Sequence, residues 1–157
     1  MPEAQTRSPR LPPRFVVVSA WYIHRAIYRL TGGRKGLWPP KDKKWGTMRL
    51  TTVGRRSGKR RSAILGYFED GPNLVTMAMN GWAEPEPAWW LNLQAHPDTT
   101  VELSDGRREV RGRAAAEGEE RDRLWARWGE YDGDDNLSGW AARRPSRTAV
   151  VILEPRT

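Results

Sequence analysis

The chain of 157 residues contains no cysteine. Disulfides, a thiolate nucleophile and a zinc–sulfur centre are therefore excluded. Histidine is scarce as well: His24 and His96 are the only two, and neither has a partner at metal-ligand spacing, so no metal site is expected. Long apolar runs are also missing. Phe15–Val18 is too short for a signal sequence and no small-residue cleavage pattern follows it. The helix it belongs to is too short and too charged to span a bilayer, so a cytoplasmic protein is expected. Acids are outnumbered, with 19 Asp and Glu against 27 Lys and Arg, a net charge of +8 and a pI near 10.4. That excess implies an anionic partner: nucleic acid, a membrane surface or a multiply charged small molecule. Tryptophan, by contrast, is abundant at nine residues, as suits the packing of a flat ring or an irregular apolar surface.

The basic residues are densest in Leu50-Thr51-Thr52-Val53-Gly54-Arg55-Arg56-Ser57-Gly58-Lys59-Arg60-Arg61. A β-branched run from Met48 to Val53 ends at a glycine, cations follow, and apolar residues resume at Ala63, which reads as strand, tight turn, strand. Gly54 and Gly58 can adopt positive φ and let such a turn expose backbone N–H groups. With Arg55, Arg56, Lys59 and Arg61 it would suit a phosphate or carboxylate. A solvated basic hairpin is the plainer alternative. It is not a Walker loop, because the lysine does not precede Ser or Thr and no helix follows.

Three regions follow from composition. Residues 1–13, rich in Pro and Arg, read as a disordered basic arm. Residues 14–33 read as an amphipathic helix with Val16, Ala20, Ile23, Ile27 and Leu30 on one face, stopped by Gly32-Gly33. It packs on the domain's own core or, through its arginines and Trp21, lies on an anionic membrane. Residues 34–157 read as one domain. Strands are expected at Ser62–Glu69 and Leu74–Met79 around Asp70-Gly71, and at Thr99–Leu103 and Arg107–Ala114 around Asp105-Gly106. A short helix, Ala88–Gln94, stops at His96-Pro97; a later one runs from Glu117 to about Glu130; a last strand covers Thr148–Leu153. Sequential hairpins, one late helix and a closing strand predict a mainly β fold, a small antiparallel barrel with peripheral helices.

This order of signals resembles the deazaflavin-dependent nitroreductase-like family of actinobacteria, over about Met48 to Pro155. Three pieces carry the resemblance: Leu50–Gly58 followed by Arg61; Pro87-Ala88-Trp89-Trp90-Leu91-Asn92-Leu93 with Ala95-His96-Pro97; and Val150-Val151-Ile152-Leu153-Glu154-Pro155. The resemblance implies a split antiparallel β-barrel of the FMN-binding type and the coenzyme F-420, an 8-hydroxy-5-deazaflavin with a phosphate and an oligoglutamate tail. It implies hydride transfer to an electron-poor small molecule: an enone, a quinone or a nitro compound.

By the same resemblance Gly54, Arg55, Arg56, Ser57, Gly58, Lys59 and Arg61 hold the anionic tail. Met77, Ala78, Met79, Asn80 and Gly81 line the ring, with Trp89 and Asn92 beside it. Trp89 reads equally well as a core plug and Asn92 as a cap. Tyr131 is the candidate proton donor, or else an aromatic packed on the Leu124-Trp125-Trp128 helix. The chain departs from the family pattern on the acceptor side: Ile64 replaces a proline, Met79 a serine, and acidic Asp132–Leu137 a tyrosine-rich loop. The coenzyme is thus expected to be kept and the acceptor changed. Asp132, Asp134 and Asp135 lack the spacing of a calcium loop and read as solvated. Other readings are a split barrel binding FMN or haem without deazaflavin chemistry, and a basic nucleic-acid-binding domain; the second has no recognition helix or stacking motif, so no nucleic acid is expected. A monomer or weak dimer is expected, and peripheral membrane contact through residues 14–30 is the alternative to packing of that helix on the core.

Overall fold

Two strands of this chain are buried on both faces, and the architecture follows from them. The computed structural model describes residues 36–79, 86–130 and 148–156. Its elements are β1 (Gly46–Val53), β2 (Arg60–Asp70), β3 (Asn73–Met77), α1 (Ala88–Ala95), β4 (Asp98–Leu103), β5 (Gly106–Ala114), α2 (Glu119–Gly129) and β6 (Val150–Pro155). The strands close into an antiparallel barrel in the order β1-β2-β3-β6-β5-β4, with β4 pairing back onto β1. Each expected strand and helix inside the described residues is present, with ends shifted by a few positions. The arm 1–13 and the helix 14–33 lie outside the described residues.

The period-two alternation of β1 turns Met48, Leu50 and Thr52 inward, where they meet Tyr67, Leu74, Val101, Val110, Val151 and Leu153. The opposite faces of β3 and β6 carry Val75, Met77, Val150 and Ile152 into a second core under α2, with Phe68, Leu124 and Trp128. That double burial is why Leu74–Met77 and Val150–Leu153 are continuous apolar runs while β5 alternates with arginines. Trp128, 1 % exposed, stacks on Trp45 with ring centroids 4.7 Å apart.

The helix α1 closes one end of the barrel. Trp89, Trp90 and Leu93 face the interior core, and Leu93 fits only because residue 112 is glycine: a Cβ there would stand 2.4 Å from Leu93 Cδ2. The β1–β2 turn and the end of β3 lie at this same end. At the other end, Asp70 binds Arg123 through both carboxylate oxygens and also takes a bond from Arg127, fixing the C-terminal half of α2 to the β2–β3 turn. A cleft of about 540 Å³ there is lined by Lys41, Lys43, Glu69, Arg127 and Glu130, remote from the cationic turn.

Candidate functional site

Residues 54–59 connect β1 and β2 in a turn closed by its own backbone. Gly54 N–H donates to the Lys59 carbonyl at 2.8 Å, and Gly58 N–H to the Gly54 carbonyl at 2.8 Å. Gly58 has φ +67°, a conformation that side chains resist, which explains the glycine between Ser57 and Lys59. The Lys59 N–H is taken by Ser57 Oγ at 3.2 Å, and the Arg55 N–H by Asn92 Oδ1 at 3.1 Å. Of the backbone N–H groups from Gly54 to Lys59, only those of Arg56 and Ser57 have no partner among the described residues. Sequence reasoning anticipated a wider cradle of backbone donors; the turn spends most of them on holding its shape.

The anion-binding capacity therefore rests on side chains. Arg56, Lys59, Arg60 and Arg61 are exposed, and none forms an ion pair with a described residue. In a chain with 19 acids to draw on, that many uncompensated cations in one turn is the arrangement a polyanion requires. Pairing register separates two of them. Arg61 lies opposite Thr52, on the face that points to the barrel mouth, whereas Arg60 lies opposite Val53 on the outer face. The residues present thus fit the phosphate and oligoglutamate of F-420.

Asn92 joins this turn to α1. It is 5 % exposed, and its Oδ1 accepts both the Arg55 amide and one guanidinium nitrogen of Arg55, at 3.2 Å. Its Nδ2 faces Thr52 Oγ1 at 3.5 Å. Asn92 is not a helix cap: only its backbone carbonyl takes part in ending α1, by accepting the His96 N–H. Trp89, 9 % exposed, belongs to the interior core with its ring 6.3 Å from that of Trp90.

The end of β3 is less open than a ring-lining strand would suggest. Met77 faces the outer core and Ala78 the inner one, both buried, and the Ala78 N–H is held by the Ala149 carbonyl at 2.9 Å. Met79 is half-buried and, like Trp45 and Trp125, packs against the outer core. Asn80, Gly81 and Tyr131 lie outside the described residues. Glu130, immediately before Tyr131, stands by Gly71 at the far end of the barrel. The Asn92–Arg55 contact is a feature sequence reasoning missed; the partners are 37 positions apart, and no spacing rule links them.

Known proteins extend this picture. A Mycobacterium tuberculosis protein named for F-420H(2)-dependent quinone reductase activity is 35 % identical over 111 residues, covering 70 % of this chain and 90 % of its own. Another from the same organism, named F-420H(2)-dependent quinone reductase, is 28 % identical over 144 residues, 91 % of this chain and 95 % of its own. Among solved structures, an F-420-H2-dependent reductase superposes with a TM-score of 0.59 at 27 % identity, covering 69 % of this chain and 93 % of its own. The family profile described as F-420H(2)-dependent quinone reductase matches residues 21–154, a longer stretch than the motifs alone covered. A closed antiparallel barrel, a cationic turn suited to the coenzyme's tail and a match over most of the length converge: this chain belongs to the F-420H(2)-dependent quinone reductase family and is an F-420-dependent oxidoreductase with the split-barrel fold.

Proposed function

We propose that the protein reduces a quinone-type small molecule, with the coenzyme's anionic tail held at Gly54–Arg61 and its ring beside Met79. The observation that carries this reading is the set of unpaired cations fixed at the mouth of the barrel. When bound, reduced F-420 supplies a hydride, and a quinone that accepts it needs one proton more to become a hydroquinone.

The chain's own residues bind and orient. Arg56, Lys59 and Arg61 neutralise the tail, and the closed turn keeps them in place before the coenzyme arrives, which lowers the cost of binding. Met79 presents a flexible, polarizable surface where the family pattern has a serine, so it offers an apolar contact and no proton. Quinones are flat and apolar with carbonyl oxygens at the rim, and a polarizable thioether suits such a face better than it suits a nitro group. Enones share that chemistry and remain the second acceptor class in this reading. Tyr131, the proton donor that the resemblance implies, follows directly on Glu130 at the end of the barrel away from the cationic turn, so the proton is assigned to no residue here.

Titration of the protein with F-420, FMN and NADPH, followed by tryptophan fluorescence, tests the binding half. Tight binding of F-420 alone, lost on changing both Arg55 and Arg56 to Ala, is expected; equal binding of FMN would overturn it. Steady-state turnover with a quinone, an enone and a nitroimidazole tests the acceptor half. Faster turnover of the nitroimidazole than of the quinone would overturn it.

A further inference from the structure

The chemistry of residue 92 bears on how much charge the turn can offer a ligand. Arg55 is tied down by two bonds, from its amide and from one guanidinium nitrogen, and both end on the same Asn92 oxygen. Turning the amide over would point its NH₂ at those two donors, so Arg55 fixes the orientation, and Nδ2 is left 3.5 Å from Thr52 Oγ1. A carboxylate at this position would form a charge-assisted pair with the guanidinium and cancel its charge. Here the acceptor is neutral. Arg55 is oriented while its positive charge stays uncancelled, and its Nε and second terminal nitrogen, which bond to no described residue, remain open to a carboxylate or phosphate.

We infer that Asn92 is a positioning residue that holds Arg55 in place for the coenzyme's anionic tail without neutralising it, and that it acts through Arg55 rather than by touching the ligand. The inference rests on the tail-binding role of the turn. Its mark is a split between stability and affinity. Asn92→Asp keeps the shape and turns the contact into an ion pair, so the fold should hold or gain stability while the tail loses a competitor-free cation. A side chain needed only for packing would move both quantities together.

The experiment compares wild type, Asn92→Asp, Thr52→Val, Arg55→Ala and the Asn92→Asp/Arg55→Ala double variant, measuring the Kd for F-420 by tryptophan fluorescence and the Tm of each without ligand. Asn92→Asp is expected to bind F-420 about tenfold more weakly, the size of one charge-assisted hydrogen bond, with a Tm equal to or above wild type. The loss should vanish in the Arg55→Ala background, because the two residues act as one unit. Thr52→Val, which removes the partner of Asn92 Nδ2 and so loosens the side chain that holds Arg55, should weaken binding by a smaller factor and decides the matter if Asn92→Asp does not fold. Normal affinity in both Asn92→Asp and Thr52→Val beside a weakened Arg55→Ala would overturn the inference alone, as would a loss that persists in the double variant. Normal affinity in Arg55→Ala would overturn the tail site itself and the inference with it.

Discussion

Gly58 and Trp128 show how differently single side chains matter in this molecule. A methyl group at residue 58 meets no neighbour within 4 Å, yet φ is +67° there. Gly58→Ala should therefore cost only the backbone term, about 1–2 kcal/mol, and weaken F-420 binding by loosening Lys59; urea unfolding and coenzyme titration read the two effects separately. Trp128 is the reverse case: it is held by packing alone. Its ring stacks on Trp45 and lies tilted 5.8 Å from Phe68, while its buried indole N–H has no partner among the described residues. Trp128→Ala should lose about 3–5 kcal/mol through the cavity it opens. Trp128→Phe should lose far less, because removing an unsatisfied donor worth about 1–3 kcal/mol offsets part of the lost volume. Equal losses in urea unfolding would show that the orphan donor carries no penalty.

Among the elements, α2 is tethered at both ends by arginine–carboxylate clusters. At its start Arg113 of β5 binds Glu120 through two nitrogens and Glu154 of β6 through a third, and Glu120 also accepts the Ala116 N–H at 2.6 Å. The bond from Arg113, helped by the Ala116 N–H, lowers the Glu120 carboxyl from its ordinary 4.5 to about 2. A carboxyl held below its unfolded value contributes stability that is complete above about pH 4.5 and is lost as pH falls towards 2. Stability of Glu120→Gln should thus fall less than that of wild type across that window, as thermal melts at stepped pH would show. At the other end the Arg123 hydrogen bonds hold the Asp70 carboxyl below its usual range. Asp70→Asn should lower hydrogen-exchange protection in the last turn of α2 while leaving β1 and β4 unchanged, since the contact is a local, solvent-screened one. The elements themselves were legible from the chain because hairpin turns such as Asp70-Gly71 and Asp105-Gly106 are local, and because β3 and β6 had to be apolar on both faces. What pairs with what was not. Arg113 meeting Glu120 and Glu154, or Asn92 meeting Arg55, depends on barrel closure, which brings together positions that no period connects. The cationic turn could be read as a ligand site, yet the internal use of most of its N–H groups could not, because those bonds depend on the path the turn takes.

For the molecule as a whole, the surplus of positive charge sets how it meets its coenzyme. The cations of the turn are exposed and add to a net charge of +8, so association with an anionic coenzyme should be steered and strongly dependent on salt. Raising ionic strength from about 0.05 M to about 0.5 M, which shrinks the screening length from roughly 14 to roughly 4 Å, should weaken F-420 binding several-fold and slow its association more than its dissociation. Stopped-flow fluorescence at the two salt concentrations would test this; an unchanged association rate would exclude long-range steering. Closure of the barrel has a different kind of consequence. The strand β6 is translated after the other five but sits between β3 and β5. Until it emerges, the nascent chain can form only an open sheet, β5-β4-β1-β2-β3, with two sticky margins and no finished interior. Native assembly is then a single late event in which one segment, acting as a keystone, seals both margins at once. The same vacancy could be filled by the corresponding segment of a neighbouring newly made copy, so crowding on a polysome, rather than any weakness of the finished fold, is where this architecture is most open to entanglement.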